Sequence, residues 1–155
     1  MADGIYDTDI LMWSEAQADL LRRVASGERV NGVDWEHVVE EIADVGIGQL
    51  NAVRSLLRPA ILHLLKVHVW PDDPAYRHWR TEIETFLGDA ADGFAPSMRQ
   101  RIDLAAIWGR ARTSMARGDT NNAAFKTLPV DCPWTLDDLL AGDQDALLAV
   151  LGAQG

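Results

Sequence analysis

The sequence holds a single cysteine, Cys132, among 155 residues, so no internal disulfide can form. It is short of basic residues, with 14 Lys and Arg against 24 Asp and Glu. The resulting net charge of −10 removes the basic field that general nucleic-acid binding requires. The same charge disfavours an anionic membrane surface. No stretch approaches the ~18 continuous apolar residues of a spanning helix. Residues 1–9 are acidic and lack both a basic region and an apolar run, so no signal peptide is expected. There is no internal repeat, no low-complexity tract and no run with the two-residue alternation of a strand. Familiar chemical signatures are missing too: no Glu-x-x-His of di-iron bundles, no His-Glu-x-x-His, no Cys-x-x-Cys. What is left is an acidic, soluble, cytoplasmic chain. Its length suits one domain, residues 1–155, and 48% hydrophobic residues suffice for a core.

Helical periodicity supplies the architecture. A first helix is predicted over residues 9–26, capped by Asp7 or Thr8 and ended by Gly27, with Ile10, Trp13, Gln17, Leu20, Leu21 and Val24 on one stripe. Asp34 caps a second helix over 35–45, whose inner face is Trp35, Val38, Val39, Ile42 and Val45. Gly46 and Gly48 loosen the chain before a third helix over 50–69, apolar on most sides and therefore buried. Pro59 inside it predicts a kink. Asp73 as cap and Pro74 at the first position start a fourth helix, which buries Tyr76, Trp79, Ile83, Phe86 and Leu87 and breaks at residues 88–96. A fifth, over 97–117, carries Leu104, Trp108, Ala111 and Met115. Residues 119–133 read as a loop pinned by Phe125, Leu128 and Val130. Thr135 and Asp138 form a capping-box pattern for a helix placing Leu136, Leu139 and Leu140 inward, and Gly142-Asp143 restart a short one through Leu147, Leu148 and Leu151. The fold class is all-α: a single-domain bundle of about five main helices with a C-terminal helical cap.

The third helix is the most informative segment, because Arg54, Arg58, His63, Lys66 and His68 sit among its apolar residues. Buried charges need partners. Glu40, Glu41 and Asp44 on the preceding helix are the natural ones. Arg54 and Arg58, one turn apart, either hold those carboxylates across a helix–helix seam or clamp a carboxylate or phosphate ligand. His37 and Glu41, four apart, face the same way and could offer two metal ligands, with His63 or His68 as a third. The plainer account is a surface pair and hydrogen-bonded core histidines, with no cofactor. Arg99, Arg110 and Arg117 form the only basic stripe, which is either a solvated face or a landing site for an acidic partner. Cys132 precedes a helix, as an activated thiol would, but reads better as a structural thiol packed beside Trp134. Trp13, Trp35, Trp79 and Trp108 fall on inner faces and read as core; Trp70 and Trp134, at helix ends, could line a groove.

Several of these residues recur in an ordered pattern. Tyr6-Asp7-x-Asp9 precedes Trp13; Glu40-Glu41-Ile42 precedes Gly46; then come His63-Leu64-Leu65-Lys66, Pro71 and Trp79-Arg80. Pro129, Cys132-Pro133, Trp134-Thr135 and Leu139-Leu140 complete it. This resembles the bacterial domain of unknown function 29 family, over a core of about residues 6–140. The resemblance implies a compact, single-domain, all-α bacterial protein and carries no activity with it. Two departures stand out: Trp134 where the resemblance leads one to expect Tyr, and Pro59 in an otherwise unbroken helix. The polar markers Asp9, Glu40, Glu41, His63, Lys66 and Arg80 suggest one network linking the first four helices. Together these features favour a non-enzymatic cytosolic domain that binds a protein partner or itself, with residues 147–151 as a contact surface or a packed tail. The alternative is a metal-binding or hydrolase-like protein whose site joins Glu40 or Glu41 to His63, helped by Arg54, Arg58 and Lys66.

Overall fold

The structure, a computed structural model, describes residues 3–153. Its elements are α1 (Asp3–Thr8), α2 (Ile10–Ala25), α3 (Trp35–Val69), α4 (Tyr76–Gly93), a 3-10 turn (Pro96–Arg101), α5 (Leu104–Met115), α6 (Ala123–Lys126), α7 (Leu136–Ala141) and α8 (Gln144–Gly152). No strand occurs among the described residues. The all-α class therefore stands, and five of the helices are seven residues or longer. The chain divides into two compact units, Met1–Gly48 and Gln49–Gly155.

In the first unit, Asp9 itself caps α2, accepting the Met12 amide at 2.9 Å, because α1 already occupies Asp7 and Thr8. Gly27, at φ +90°, ends the helix where a side chain would be strained. Asp34 opens α3 with a long contact from the His37 amide, 3.4 Å. The expected break at Gly46 and Gly48 does not occur, and α3 runs without interruption from Trp35 to Val69. Each glycine costs a helix only about 1 kcal/mol relative to alanine, less than leaving the backbone groups of two helix ends without partners. Pro59 likewise sits within the continuous helix and does not split it.

The second unit holds nearly all of the core. Leu50, Val53, Leu57, Ala60, Ile61, Leu64, Leu65, Val67 and Val69 of α3 are buried, as all-round apolarity predicts. Ile83, Leu87 and Ala90 of α4 pack in the same cluster, as do Trp108 and Met115 of α5, and Leu139, Leu147 and Leu151. Leu147 and Leu151 are thus packed in the body, with Leu148 and Val150 half-buried against it. α4 starts at Tyr76, later than predicted: Asp73 spends its carboxylate on the Ala75 amide of a preceding turn, 2.8 Å. It also continues through Gly88 to Gly93, where a Cβ would come within 3.2 Å of the Gln49 side chain. The predicted fifth helix is two elements, because Asp103 caps α5 through the Ala106 amide. The capping box at Thr135 and Asp138 forms as read. Trp134 is 4% exposed and edge-on to Trp108, so it belongs to the core, while its outer edge lines a small pocket with Asp138, Ala146 and Leu147.

Candidate functional site

Two helical turns of the first unit concentrate its polar chemistry. Trp13 and Gln17 lie four apart on α2; His37 and Glu41 lie four apart on α3. Asp34 ties them together. Its carboxylate accepts the Trp13 indole N–H at 3.1 Å and meets His37 Nδ1 at 2.7 Å, while its amide donates to Gln17 Oε1 at 2.9 Å. The Tyr6 ring stacks on His37 at 3.8 Å and meets Trp13 edge-on at 4.9 Å. Its hydroxyl donates to Glu41 at 2.7 Å. These contacts shift the titrations. The Glu41 carboxylate that accepts its hydrogen bond pushes the Tyr6 hydroxyl up to about 12. The hydrogen bond with His37 holds Asp34 below the usual carboxylate range, and the same bond raises His37. These contacts are made among the members of the cluster itself, as in a structural network.

The other side of this stretch of α3 is apolar and bare. Trp35 is 55% exposed, Val39 63%, Ile42 69% and Val45 74%, although the sequence pattern made them an inner face; only Val38 of that set is buried. At 100° per residue, Trp35, Val39 and Ile42 share an arc of about 60°. Glu36, Glu40 and Asp44 form an adjoining row at four-residue steps. Glu36, Glu40 and Asp44 are exposed and have no cationic partner within 4.0 Å among the described residues.

In the second unit the predicted site residues find separate, local partners. His63 contacts Glu82 through Nε2, and Glu82 also receives exposed His78 at 3.2 Å. His63 Nδ1 is buried with no hydrogen-bond partner, and burial lowers the His63 pKa against the pull of Glu82. Burial also lowers His68. The Lys66 ammonium lies 5.5 Å above the Trp79 ring. Arg80 joins α4 to α8, donating to Asp145 at 2.8 Å and to the Tyr76 hydroxyl at 3.2 Å, while its own carbonyl accepts from Gln144. Arg54 donates to Asn51 at 3.2 Å and to the Arg101 carbonyl. Arg58 is exposed beside it, on a groove shared with Arg110. Arg99 pairs with Asp137 at 2.9 Å, away from α5, so no single helix carries the expected stripe of Arg99, Arg110 and Arg117. The Cys132 thiol packs 3.5 Å from the Trp134 carbonyl and burial raises its pKa, which makes it a poor nucleophile.

The seam expected between Glu40, Glu41, Asp44 and Arg54, Arg58 presupposed a turn at Gly46–Gly48, and a continuous α3 supplies none. Asp9 is a helix cap, Glu41 serves Tyr6, Glu40 faces solvent and His63 serves Glu82. The candidate metal set His37, Glu41 and His63 does not assemble, and among the described residues no group of three His, Cys, Asp or Glu is arranged to hold a metal ion. Sequence reasoning missed Asp34 as a network centre and Glu82 as the partner of His63. The four-residue spacing of His78 and Glu82 signals only their own pairing; nothing local points Glu82 to His63.

Comparison with known proteins agrees with this fold. The chain is similar to a crystal structure of an alpha-helical protein of unknown function from Rhodospirillum rubrum ATCC 11170, at 31% identity and a TM-score of 0.67, over 93% of this chain and 95% of that one. No curated protein matches. The family described as domain of unknown function DUF29 matches residues 5–144, nearly the whole chain, and the protein belongs to that family.

Proposed function

We propose that this protein is a cytoplasmic docking module, non-enzymatic, whose first turns of α3 receive a basic amphipathic helix from a partner protein. One observation carries it: among the described residues, nine of the ten exposed large hydrophobic side chains lie between Ile5 and Ile47, in a unit that buries few side chains. Large apolar side chains gathered on one helix face mark an interaction surface. Burying an aliphatic side chain of this size is worth about 1.5–3 kcal/mol, so three or four of them support specific binding. Charge selects the occupant. Residues 1–48 contain eleven Asp and Glu against three Arg, a net −8 of the chain's −10. The row Glu36, Glu40, Asp44 repels itself along the helix and repels the identical row of a second copy. A partner helix with Lys or Arg beside its apolar stripe relieves both. The continuous helix presents the stripe in i, i+4, i+7 order, the spacing a helical partner reads.

The test is fluorescence anisotropy of a labelled amphipathic Leu/Lys helix against the full-length chain, with a Leu/Glu helix of the same apolar pattern as counterpart. The Leu/Lys helix should bind and the Leu/Glu helix should not. Replacing Val39 and Ile42 by Ser leaves the charge intact and should weaken binding at least tenfold, which corresponds to about 1.4 kcal/mol. Equal binding to the Ser variant would reduce the effect to bulk charge and overturn the proposal. So would self-association of the wild type, in sedimentation equilibrium, that the Ser variant loses.

A further inference from the structure

The second unit contains a different kind of surface. α3 and α5 flank an open groove of about 380 Å³ lined by Arg54, Ser55, Arg58, Asp103, Ala106, Ile107 and Arg110. A volume of this order falls in the range of small-molecule sites. Three of its lining residues are arginines, in a protein with 24 acidic residues to 14 basic ones. The one carboxylate at its edge, Asp103, already accepts the Ala106 amide as the cap of α5. Arg54 is held in place by Asn51 and by the Arg101 carbonyl. Among the described residues, neither Arg58 nor Arg110 has a carboxylate within 4.0 Å. Three cations against one anion leave the groove with an excess of two positive charges. An acidic protein had carboxylates enough to neutralise them and did not place them there.

We infer that this groove binds a small organic phosphomonoester. Arginine forks hold oxyanions bidentately, and a dianion matches the excess charge. Arginines from two elements suit an anion with three terminal oxygens better than a flat carboxylate with two. The buried side chain of Ile107 and the methyl of Ala106 give the rest of the ligand an apolar floor. Ser55 adds a hydroxyl that can donate to a phosphate oxygen. The inference is independent of the docking face on α3, since it uses residues of the second unit only.

Thermal unfolding of the full chain decides it. The probes are phenyl phosphate, inorganic phosphate, phenylacetate, succinate and sodium chloride at matched ionic strength. A ligand at a hundred times its dissociation constant stabilises by ~2.7 kcal/mol, so a bound ligand raises the midpoint measurably. Phenyl phosphate should raise it most, inorganic phosphate less, and chloride not at all. Arg58→Gln and Arg110→Gln, both at exposed positions, should fold like wild type and each lose most of the response. Side-chain Nε–Hε resonances of Arg54, Arg58 and Arg110 should shift with phenyl phosphate and not with chloride. An equal rise with chloride, or an undiminished rise in the two variants, overturns the site. A larger rise with succinate or phenylacetate overturns the phosphate assignment.

Discussion

The two units of this protein use their apolar residues in opposite ways. Among the described residues, 49–153 bury twenty-four side chains in one cluster and expose a single large hydrophobic one, Val130. The described residues up to Gly48 bury Trp13, Val38 and the polar Gln17, and expose nine large hydrophobic side chains. The first arrangement is what folding alone favours, since each buried aliphatic side chain stabilises the native state. The second forgoes that gain and holds its helices by hydrogen bonds around Asp34 instead. A unit that leaves its best packing surface bare is shaped by something besides its own stability.

The largest test of this contrast truncates one side chain on each side of it. Leu64 is fully buried, and Leu64→Ala should cost about 2–5 kcal/mol in urea unfolding, from lost transfer energy and the cavity left behind. Ile42 is 69% exposed, and Ile42→Ala should change stability by no more than about 0.5 kcal/mol. If Ile42→Ala is as costly as Leu64→Ala, the α3 stripe is packed in solution and the contrast is lost.

Acidification should move the two units in opposite directions, by less than the core truncation does. In the second unit His63 and His68 are held low by burial. Their folded state binds fewer protons than the unfolded chain below about pH 6.5, so stability falls as pH drops through that region. In the first unit His37 is raised by Asp34. Its contribution is fully present below about pH 6.5 and is lost as pH rises through the raised value. Asp34, held low, sustains the pair until the pH falls through the depressed carboxylate value. Amide exchange corrected for intrinsic rates, compared at about pH 7.5 and about pH 5.5, should show residues 49–153 opening more and α2 with the start of α3 opening less. His37→Gln should abolish the second effect and leave the first. Parallel changes in both units would contradict the assignments.

The sequence stripes were legible where burial is all-round and misleading where it is one-sided. From Leu50 to Val69 the apolar residues surround the helix, so any packing buries them and the expectation succeeds. From Trp35 to Val45 the apolar stripe has the helical period of an inner face, yet period says only that a face exists and is silent on what covers it. Helix ends failed for a related reason. Gly46, Gly48 and Gly88 resemble stops, but all three lie within helices. Partners distant in sequence, such as Glu82 for His63 and Asp145 for Arg80, follow from tertiary packing that no local spacing encodes. The capping box at Thr135 was fully legible because its two members are three residues apart.

The glycines offer the next test. Gly46 and Gly48 are helical, and a Cβ at either would meet nothing within 4 Å. Gly46→Ala and Gly48→Ala should each stabilise α3 by about 0.5–1 kcal/mol, read as slower amide exchange on both sides of the substitution. A destabilising result would mean that the helix bends there in solution and needs glycine to do so.

The smallest effect discriminates best between folding and function as the origin of the acidic row. Glu40 stands one turn from Glu36 and one turn from Asp44. Glu40→Lys replaces two repulsive pairs with two attractive ones, each worth about 0.2–0.5 kcal/mol, so the isolated protein should melt slightly later. If the row exists for the fold, that variant is simply better. If it exists to meet a basic helix, the same variant should bind the Leu/Lys helix more weakly and with a shallower salt dependence, while the apolar stripe stays intact. Stability and binding then move in opposite directions from a single side chain. That outcome is hard to obtain from a surface that merely happens to be acidic, because such a surface has no reason to give up stability that one lysine restores.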